Sequence, residues 1–507
     1  MLLLALLWLR VAGAAPILQR GLGPEPDALD PQRAQGLSAQ ILLRDTHEGL
    51  TREDAAGRIV PGAAARWTVS ADGRVWQFHL RPGLRWADGQ PLTAADYVDT
   101  LRRAVDPSSA APYADSLRLI AGADAVLKRA AAVETLGVEA EGQTVIVHLA
   151  APRLDLPARL ALPIAMPHRL DPQGRPIGSG PYRLITQRPH SHLDLARNPH
   201  YWNAAAVPIE QVRWHITEDA GIEARRFAAG ELHLTQTVPP GRRDQLVARY
   251  GKALQIAPAY GTFFIGLNLR RPPFKDALAL REALSLAIDR ERLVQSITGL
   301  GEAPATHLLP PGLGGEPPAW AGWSAAQRLA LARQRYAEAG YGPGKPLTLE
   351  LRFNTSLVHR RTLLAVSLMW EEALGVRTRL RNEEWKVFVA TRRAGVVTQA
   401  FRGGWNADLA DPLDFLQLYE SQSGLNYTGY ADAEYDRQVD TARHALDPAE
   451  RQAAVRAAEA RLLQAHALIP LYFYTTRRLV SPLLEPPLLN PLDRQSSASL
   501  RFREVAP

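Results

Sequence analysis

Apolar and polar residues alternate over two neighbouring segments in the N-terminal part of the chain, at 67–70 and 75–80. Such alternation predicts strands, because successive side chains of a strand face opposite sides of a sheet. Ala71-Asp72-Gly73 lies between the two segments, and Asp-Gly in that position is typical of a hairpin turn. We therefore expect a β-hairpin over 67–80.

A third segment carries the signals of a helix with defined ends. Thr93 precedes it and Asp96 follows three positions later, which is the spacing of a capping box. The helix is expected to run to about Ala104 and to end before Asp106-Pro107.

Further helices are expected at both ends of the chain. Segment 450–464 places Val455, Ala458 and Leu462 on one apolar stripe. A short helix is expected over 34–43, despite Gly36. The C-terminal half alternates strand-like and helix-like segments, which favours an α/β fold.

The N-terminus opens with an apolar run at 2–9, followed by Ala12-Gly13-Ala14-Ala15. An apolar run before small residues is typical of a signal peptide and its cleavage site. Residues 1–15 are therefore expected to direct export to the periplasm. The run is too short to span a bilayer.

Length and composition narrow the class of protein. A chain of 507 residues is too long for one core and predicts two or three domains. The net charge of +7 includes no long basic run, so no nucleic-acid partner is expected. The absence of Cys excludes disulfides, thiolate metal sites and a Cys nucleophile.

The candidate chemistry is concentrated at 402–408. Arg402 and Asp408 lie six positions apart, with Gly403, Gly404 and Trp405 between them. Glycines let a backbone approach a bound molecule closely, and Trp offers a flat apolar wall. The segment suits a zwitterion whose amine contacts Asp408 and whose carboxylate contacts Arg402. Taken alone, a turn with an exposed ion pair is the commoner origin of such charges.

Short motifs follow one another along nearly the whole chain. They are Pro61-Gly62-Ala63-Ala64, Ser70-Ala71-Asp72-Gly73, Trp86-Ala87-Asp88-Gly89, Gly178-Ser179-Gly180-Pro181-Tyr182, Arg197-Asn198-Pro199, Gly266-Leu267-Asn268 and Arg281-Glu282-Ala283-Leu284. In order and spacing they resemble the extracellular solute-binding proteins of family 5, the peptide-binding subunits of bacterial ABC importers. The closest similarity is to the oligopeptide-binding branch.

This resemblance implies a peptide site. It implies that Asp408 holds the α-amino group of the peptide. The other residues expected in the site are Arg402, Arg392 and His359 for the carboxylate at different peptide lengths, Trp385, Trp405 and Tyr113 as aromatic walls, and Gly404 and Asn426. Gly403-Gly404 is also a candidate sheet edge to which an extended peptide adds a strand. No catalytic residue, metal or cofactor is expected.

The resemblance also implies an α/β architecture of two lobes with two crossovers, near 258–264 and 472–478. The lobes are expected to close over the ligand. The expected division is lobe I at 16–48, 173–260 and 475–507, an inserted subdomain at 49–172, and lobe II at 261–474. Short peptides and the membrane permease subunits of an ABC importer are the expected partners of a monomeric protein.

Alternatives remain open. One alternative is a relative of the same family whose ligand is a cell-wall (murein) peptide, a metal chelate or haem. Another is a sensor subunit, which would share the fold. A secreted hydrolase would need an acid/base pair such as Glu383-Glu384, but adjacent strand residues face opposite sides. No Gly-x-Ser-x-Gly or His-Glu-x-x-His motif occurs. His190 and His192 offer two metal nitrogens without a third ligand nearby.

Overall fold

Three larger β-sheets organise the chain in a computed structural model that describes residues 16–239, 241, 243–396 and 398–504. The predicted signal peptide at 1–15 lies outside the described residues. The strands are β1 (Leu18–Gly23), β2 (Thr51–Glu53), β3 (Ile59–Pro61), β4 (Ala64–Val69), β5 (Val75–Leu80), β6 (Val138–Glu141), β7 (Thr144–His148), β8 (Arg169–Leu170), β9 (Pro176–Ile177), β10 (Tyr182–Arg188), β11 (His192–Arg197), β12 (Gln211–Ile216), β13 (Leu254–Leu267), β14 (Ala303–Pro304), β15 (Thr348–Asn354), β16 (Arg377–Glu383), β17 (Ala400–Asn406) and β18 (Leu468–Leu479).

The α-helices lie between these strands along the chain. They are α1 (Leu37–Thr46), α2 (Ala94–Val105), α3 (Ala123–Leu127), α4 (Leu156–Arg159), α5 (Ala220–Ala228), α6 (Arg243–Tyr250), α7 (Leu278–Leu286), α8 (Arg290–Leu293), α9 (Ala325–Glu338), α10 (Leu357–Leu374), α11 (Trp385–Ala394), α12 (Leu413–Leu416), α13 (Ala433–His444) and α14 (Pro448–Gln464).

The first sheet has the strand order β1-β12-β11-β10. β1 runs parallel to β12, and the remaining neighbours pair antiparallel. Leu18 and Leu22 of β1 share a buried core with Ile41 and Leu42 of α1 and with Trp214 of β12.

The second sheet, β4-β5-β7-β6, is antiparallel throughout. It contains the hairpin predicted over 67–80, with Trp67 opposite Phe78 and Val69 opposite Trp76. Trp76, Phe78 and Leu80 are buried, as the alternation along β5 predicts. The hairpin prediction is confirmed.

The predicted helix after Thr93 is also confirmed. The Thr93 N–H and hydroxyl both donate to Oδ2 of Asp96 at 2.7 Å, and α2 follows directly. The predicted stripe on α14 is buried.

The helix expected over 34–43 exists but begins later, at Leu37. The Asp27 carboxylate accepts hydrogen bonds from the N–H groups of Gln35 and Gly36 at 2.7 and 3.0 Å. Gly36 is extended, with φ −70° and ψ 146°. The predicted start was wrong because Gly36 is extended and not helical, so the helix begins only after it.

The third sheet has six strands in the order β14-β18-β13-β17-β15-β16. β13 pairs antiparallel with both β17 and β18, whereas β15 runs parallel to β16 and β17. Separate cores cover its two faces. One includes residues of α7 and α10, and the other includes residues of α13 and α14.

The segments predicted as crossovers lie in β13 and β18. These strands pair from Leu254 opposite Leu479 to Gly266 opposite Leu468, with a register shift between Pro258 and Thr262. Past the end of β18, Val480 bridges Leu234, which also bridges Arg20 of β1. The two long strands thus belong to the six-stranded sheet, and the residue after β18 is linked through Leu234 to β1 of the first sheet.

Candidate peptide-binding site

β17 leads into the predicted site segment and has one incompletely paired edge. β13 pairs with β17 along its whole length. β15, on the other side, pairs only with Ala400 and Phe401. From Arg402 to Asn406, no strand among the described residues pairs with that second edge. The main chain there is open to an added strand.

The glycines of the segment make room for the protein's own aromatic side chains. A Cβ at Gly403 would overlap the ring of Phe264, and one at Gly404 would overlap the hydroxyl group of Tyr474. β13 carries Phe264 and β18 carries Tyr474. The glycines are therefore required by packing within the sheet, which the sequence interpretation of close ligand approach did not foresee.

A cavity of about 410 Å³ lies beside Asp408. Gln40, Tyr113, Tyr260 and Arg494 are among the residues that line it. The Tyr113 hydroxyl lies 3.4 Å from Nε2 of Gln40. The structure thus brings two of the expected site residues, Tyr113 and Asp408, to one cavity from distant parts of the chain.

The main chain of Asp408 is held by two hydrogen bonds, whereas its carboxylate has no bonded partner among the described residues. Its N–H donates to Oδ2 of Asp414 at 2.9 Å, and its carbonyl oxygen accepts from Nη2 of Arg494 at 2.8 Å. In the described part of the chain no hydrogen bond or ion pair reaches the carboxylate. Burial raises the pKa of the Asp408 carboxyl, and the charges of Arg494 and Arg44 oppose that rise. A cationic ligand group would stabilise such a carboxylate.

Asp414 orients the end of β17. Besides the N–H of Asp408, its Oδ2 accepts the indole N–H of Trp405 at 2.8 Å. Burial and the charge of Asp408 raise the pKa of Asp414 to about 7. One carboxylate oxygen thus fixes both a wall of the site and the main chain of its candidate anchor.

Three charged side chains, Glu53, Arg44 and Arg494, form a cluster behind Asp408, which we name the Glu53 cluster. Oε1 of Glu53 accepts from Nη1 of Arg494 at 2.6 Å, and its Oε2 lies 3.7 Å from Nε of Arg44. The three side chains are 6–9% exposed. Sequence reasoning missed this cluster, because Glu53 and Arg494 stand 441 positions apart and belong to no motif.

A second cavity, of about 200 Å³, lies next to Gly404. It brings together the expected residues Arg392, Arg402, Trp385 and Trp405. Aromatic and aliphatic side chains that the sequence did not single out complete the wall: Phe264, Phe401, Leu418, Tyr419, Leu425 and Tyr427. Trp385 is 50% exposed, so it is not a core residue.

Arg392 and Arg402 lie among aromatic rings, and neither has an acidic partner among the described residues. The guanidinium carbon of Arg392 is 4.1 Å from the ring centre of Tyr427, and that of Arg402 is 5.2 Å from the ring centre of Phe263. Nη2 of Arg402 donates to the hydroxyl of Tyr474 at 3.2 Å. Within the described residues, the Nε of each arginine is buried and has no hydrogen-bond partner. Two such groups suit an anionic ligand group.

His359 is not among the residues that line either cavity. Its ring lies 5.6 Å from that of Phe263, and its Nδ1 is 3.0 Å from Oδ1 of Asn354. Burial and the charge of Arg402 lower the pKa of His359 to about 4. The imidazole is therefore neutral near neutral pH, so it would meet a ligand carboxylate as an N–H donor and not as a cation.

Asn426 lies in the loop beneath the second cavity, and its side chain is engaged within that loop. Its Nδ2 donates to three backbone carbonyl oxygens, the shortest bond being 2.7 Å to Tyr430. Its Oδ1 accepts from the N–H of Gly429 at 3.0 Å. In this arrangement Asn426 supports the loop, and its polar atoms are already occupied.

The other candidate groups of the sequence have structural partners. His190 pairs with Glu25 at 2.8 Å, and His192 lies 3.6 Å from Asp194. Glu383 pairs with Arg352, and the Glu384 carboxylate caps the N-terminus of α11. Over the described ranges, no group of three or more His, Asp or Glu side chains is placed to hold a metal ion.

These features define a class: an α/β binding protein with two lobes and two cavities along one strand, each with charged side chains in its wall. No helix in the described part of the chain is both long and apolar enough to cross a membrane. The chain belongs to the bacterial extracellular solute-binding proteins, family 5, whose family model matches residues 58–427.

Two relatives match most of the chain. The periplasmic oligopeptide-binding protein OppA of Escherichia coli strain K12 is 34% identical over 482 residues, covering 92% of this chain and 88% of OppA. The periplasmic murein peptide-binding protein MppA of the same strain is 33% identical over 492 residues, covering 94% and 91%. The solved structure of MppA in its unliganded open form matches with a TM-score of 0.85 at 32% identity, covering 96% of this chain and 98% of that one. The expected two-lobed fold is confirmed.

Proposed function

We propose that this protein captures short peptides in the periplasm and delivers them to the permease subunits of an ABC importer. One observation carries the proposal. The Asp408 carboxylate and the guanidinium groups of Arg392 and Arg402 lie at two cavities along β17. None of the three has an ionic partner among the described residues. These are complementary to the amine and the carboxylate that every peptide has.

In this mechanism Asp408 accepts hydrogen bonds from the α-ammonium group of the peptide. The peptide main chain pairs with the free edge of β17, so that backbone hydrogen bonds supply affinity without reading side chains. Arg402 and Arg392 receive carboxylate groups, the choice between them depending on the length of the ligand. Tyr113, Trp405 and Trp385 form walls that tolerate different side chains.

The remaining expectations belong to the same proposal. Residues 1–15 direct export, and the protein binds and releases its ligand as a monomer without catalysis. Lobe I comprises 16–48, 173–260 and 475–507, and lobe II comprises 261–474, with 49–172 as an inserted subdomain. The pairing of β13 with β18 supports this division, since both strands belong to the third sheet and the residue after β18, Val480, is linked through Leu234 to β1 of the first sheet.

The similarity to MppA favours a second candidate ligand, a cell-wall peptide. Both kinds of ligand offer an amine and at least one carboxylate, so the charges at Asp408, Arg392 and Arg402 suit either. Native mass spectrometry of the purified protein, with denaturing release of its ligand, separates them. A series of mixed short peptides supports general peptide capture, whereas a single murein peptide supports the second candidate.

The test of the anchor is Asp408→Asn, measured by calorimetric titration with a mixed-sequence tripeptide library. We expect a loss of about 2–5 kcal/mol in binding, the scale for removing one partner of a buried charge pair. Acetylating the amino termini of the library should cost wild-type protein a similar amount. Asp440→Asn, at a side chain that is 61% exposed on α13, is the matched control. Unchanged affinity in both experiments would refute the assignment.

A further inference from the structure

Arg494 stands between two acidic side chains. It lines the cavity beside Asp408, and it also lines a cavity of about 190 Å³ that contains Glu53 and Arg44. Nη1 donates to the Glu53 carboxylate, whereas Nη2 donates to the carbonyl oxygen of Asp408 and not to its carboxylate. The two acids therefore differ: Glu53 carries the ion pair, and the Asp408 carboxylate is left without one.

We propose that Glu53 is a positioning residue, which holds Arg494 away from the Asp408 carboxylate and keeps that carboxylate available to the amine of a ligand. The inference rests on the proposed function, in which Asp408 is the amine anchor. Glu53 itself touches no ligand in this scheme and acts through Arg494.

The reason is the cost of an unpaired buried charge. The Arg494 side chain is only 6% exposed, so water cannot replace a lost acidic partner. Without the charge of Glu53, the Asp408 carboxylate is an acid on which the charge of Arg494 already acts and which has no hydrogen-bond or ion-pair partner among the described residues. Arg494 already donates to the carbonyl oxygen of Asp408, so in this proposal its guanidinium group turns to the carboxylate of the same residue. That pair would neutralise the anchor.

Arg44 strengthens the same effect. Its Nη1 donates to the carbonyl oxygen of Gln40 at 3.0 Å, and its Nη2 is buried with no hydrogen-bond partner in the described structure. Glu53 therefore balances two buried guanidinium groups, both of which act on the charge of Asp408. Removal of the Glu53 charge would leave both guanidinium groups, of Arg44 and Arg494, with Asp408 as the acid on which they act.

The arrangement joins three parts of the chain. Glu53 ends β2 in the segment 49–172, Arg494 lies in the C-terminal segment, and Asp408 follows β17. A residue of the proposed inserted subdomain thus takes part in recognition of the amine without contacting it.

The test is a double-mutant cycle of E53Q, R494Q and the E53Q/R494Q protein. The probe is a mixed-sequence tripeptide library with free or acetylated amino termini, and the tryptophan fluorescence of the full mature chain reports apparent Kd. We expect E53Q to weaken binding of free tripeptides by about tenfold or more, as for close charge pairs, with little effect on acetylated ones. In the R494Q background the same substitution should have an effect of less than about twofold, because the competing cation is gone.

Controls separate positioning from a general structural role. E141Q changes an exposed acid of the same segment, and thermal unfolding reports the stability of every variant. E53D, which keeps the charge at a shorter reach, should recover part of the discrimination lost in E53Q. Where E53Q is too unstable to measure, E53D with and without R494Q supplies the cycle.

Two results would overturn the inference. One is an equal loss for free and acetylated tripeptides, and the other is an equal effect of E53Q with and without Arg494. Failure of the proposed function is distinct, because it appears in the wild-type protein alone. There, free and acetylated tripeptides would bind equally, or neither would bind.

Discussion

At the scale of single residues, the site depends on which charges are already paired. Arg392, Arg402 and Asp408 are left without ionic partners among the described residues, while Glu53 and Arg494 satisfy one another nearby. His359 belongs to neither group, because burial keeps it neutral. A charged side chain in this region is available to a ligand only where it forms no ion pair with a neighbouring residue.

The raised pKa of Asp408 predicts a pH dependence of binding. Protonation removes the negative charge that the α-ammonium group needs, while the ammonium itself stays charged in acid. Affinity for free tripeptides should therefore fall as the pH is lowered, starting above the value of about 3.9 that is usual for Asp. Calorimetric titrations between about pH 4 and pH 8 measure this. Acetylated tripeptides should show a much flatter profile.

Asp414 titrates in the same range, since its pKa is raised to about 7. Repeating the pH series with Asp414→Asn assigns the remaining change to Asp408. Parallel profiles for free and acetylated tripeptides would contradict the prediction.

At the scale of elements, the site is built on three neighbouring strands, with β13 paired to β17 on one side and to β18 on the other. β17 offers one free edge only because β15 diverges after Phe401. Its glycines accommodate aromatic side chains from both of the other strands. The position of the edge and the shape of the second cavity therefore depend on packing within the sheet.

Gly404→Ala tests this packing. The added methyl group would overlap the Tyr474 hydroxyl, which bonds Arg402, so both stability and peptide affinity should fall. Overpacking of this kind costs about 1–3 kcal/mol in unfolding free energy. Tyr474→Phe removes the overlapping oxygen, so Gly404→Ala should cost less in that background. Urea unfolding and tripeptide titration measure both effects, and equal costs in the two backgrounds would disprove the explanation.

Helix α14 also holds a distant loop through one carboxylate. Oε1 of the buried Glu459 accepts from the N–H groups of Leu308 and Leu309 at 2.9 and 2.8 Å. Glu459→Ala leaves those donors unpaired and should lower the unfolding free energy by about 1–3 kcal/mol. Glu459→Gln keeps an acceptor oxygen and should cost less. Urea unfolding compares the two, and an equal loss would assign the effect to packing.

At the scale of the whole molecule, β13 and β18 connect two bodies that also touch away from the hinge. The side chain of Leu446, between α13 and α14, lies against the hairpin turn of the second sheet, where a Cβ at Gly73 would be 2.7 Å from its methyl carbon. The cavity beside Asp408 takes residues from both proposed bodies, Tyr113 from the first and Asn406 from the second. A ligand that fills this cavity would contact both and favour closure.

Closure predicts a change in overall size. Small-angle X-ray scattering should show a smaller radius of gyration when free tripeptides are added to the wild-type protein. Acetylated tripeptides at the same concentration should produce less compaction, because they cannot use Asp408 fully. The Asp408→Asn protein serves as the control, and an unchanged radius with saturating free tripeptides would contradict the hinge mechanism.

Local features of this protein could be predicted from the order of residues alone. The hairpin over 67–80, the cap at Thr93 and the buried stripe of α14 each depend on neighbours a few positions apart. The ordered motifs indicated the family, and they directed attention to the segment 402–408. These features could be predicted because periodicity, capping and motif spacing depend on residues that are close in sequence and not on distant contacts.

Other features appear only when the chain is folded. The Glu53 cluster joins residues more than 400 positions apart, and the glycines of β17 are explained by side chains from other strands. His359 is a basic residue in the sequence, but burial lowers its pKa to about 4, and the polar side-chain atoms of Asn426 already have hydrogen-bond partners within its own loop. Burial and long-range pairing set the charge and availability of a side chain, and neither is encoded in the residue or its neighbours along the chain.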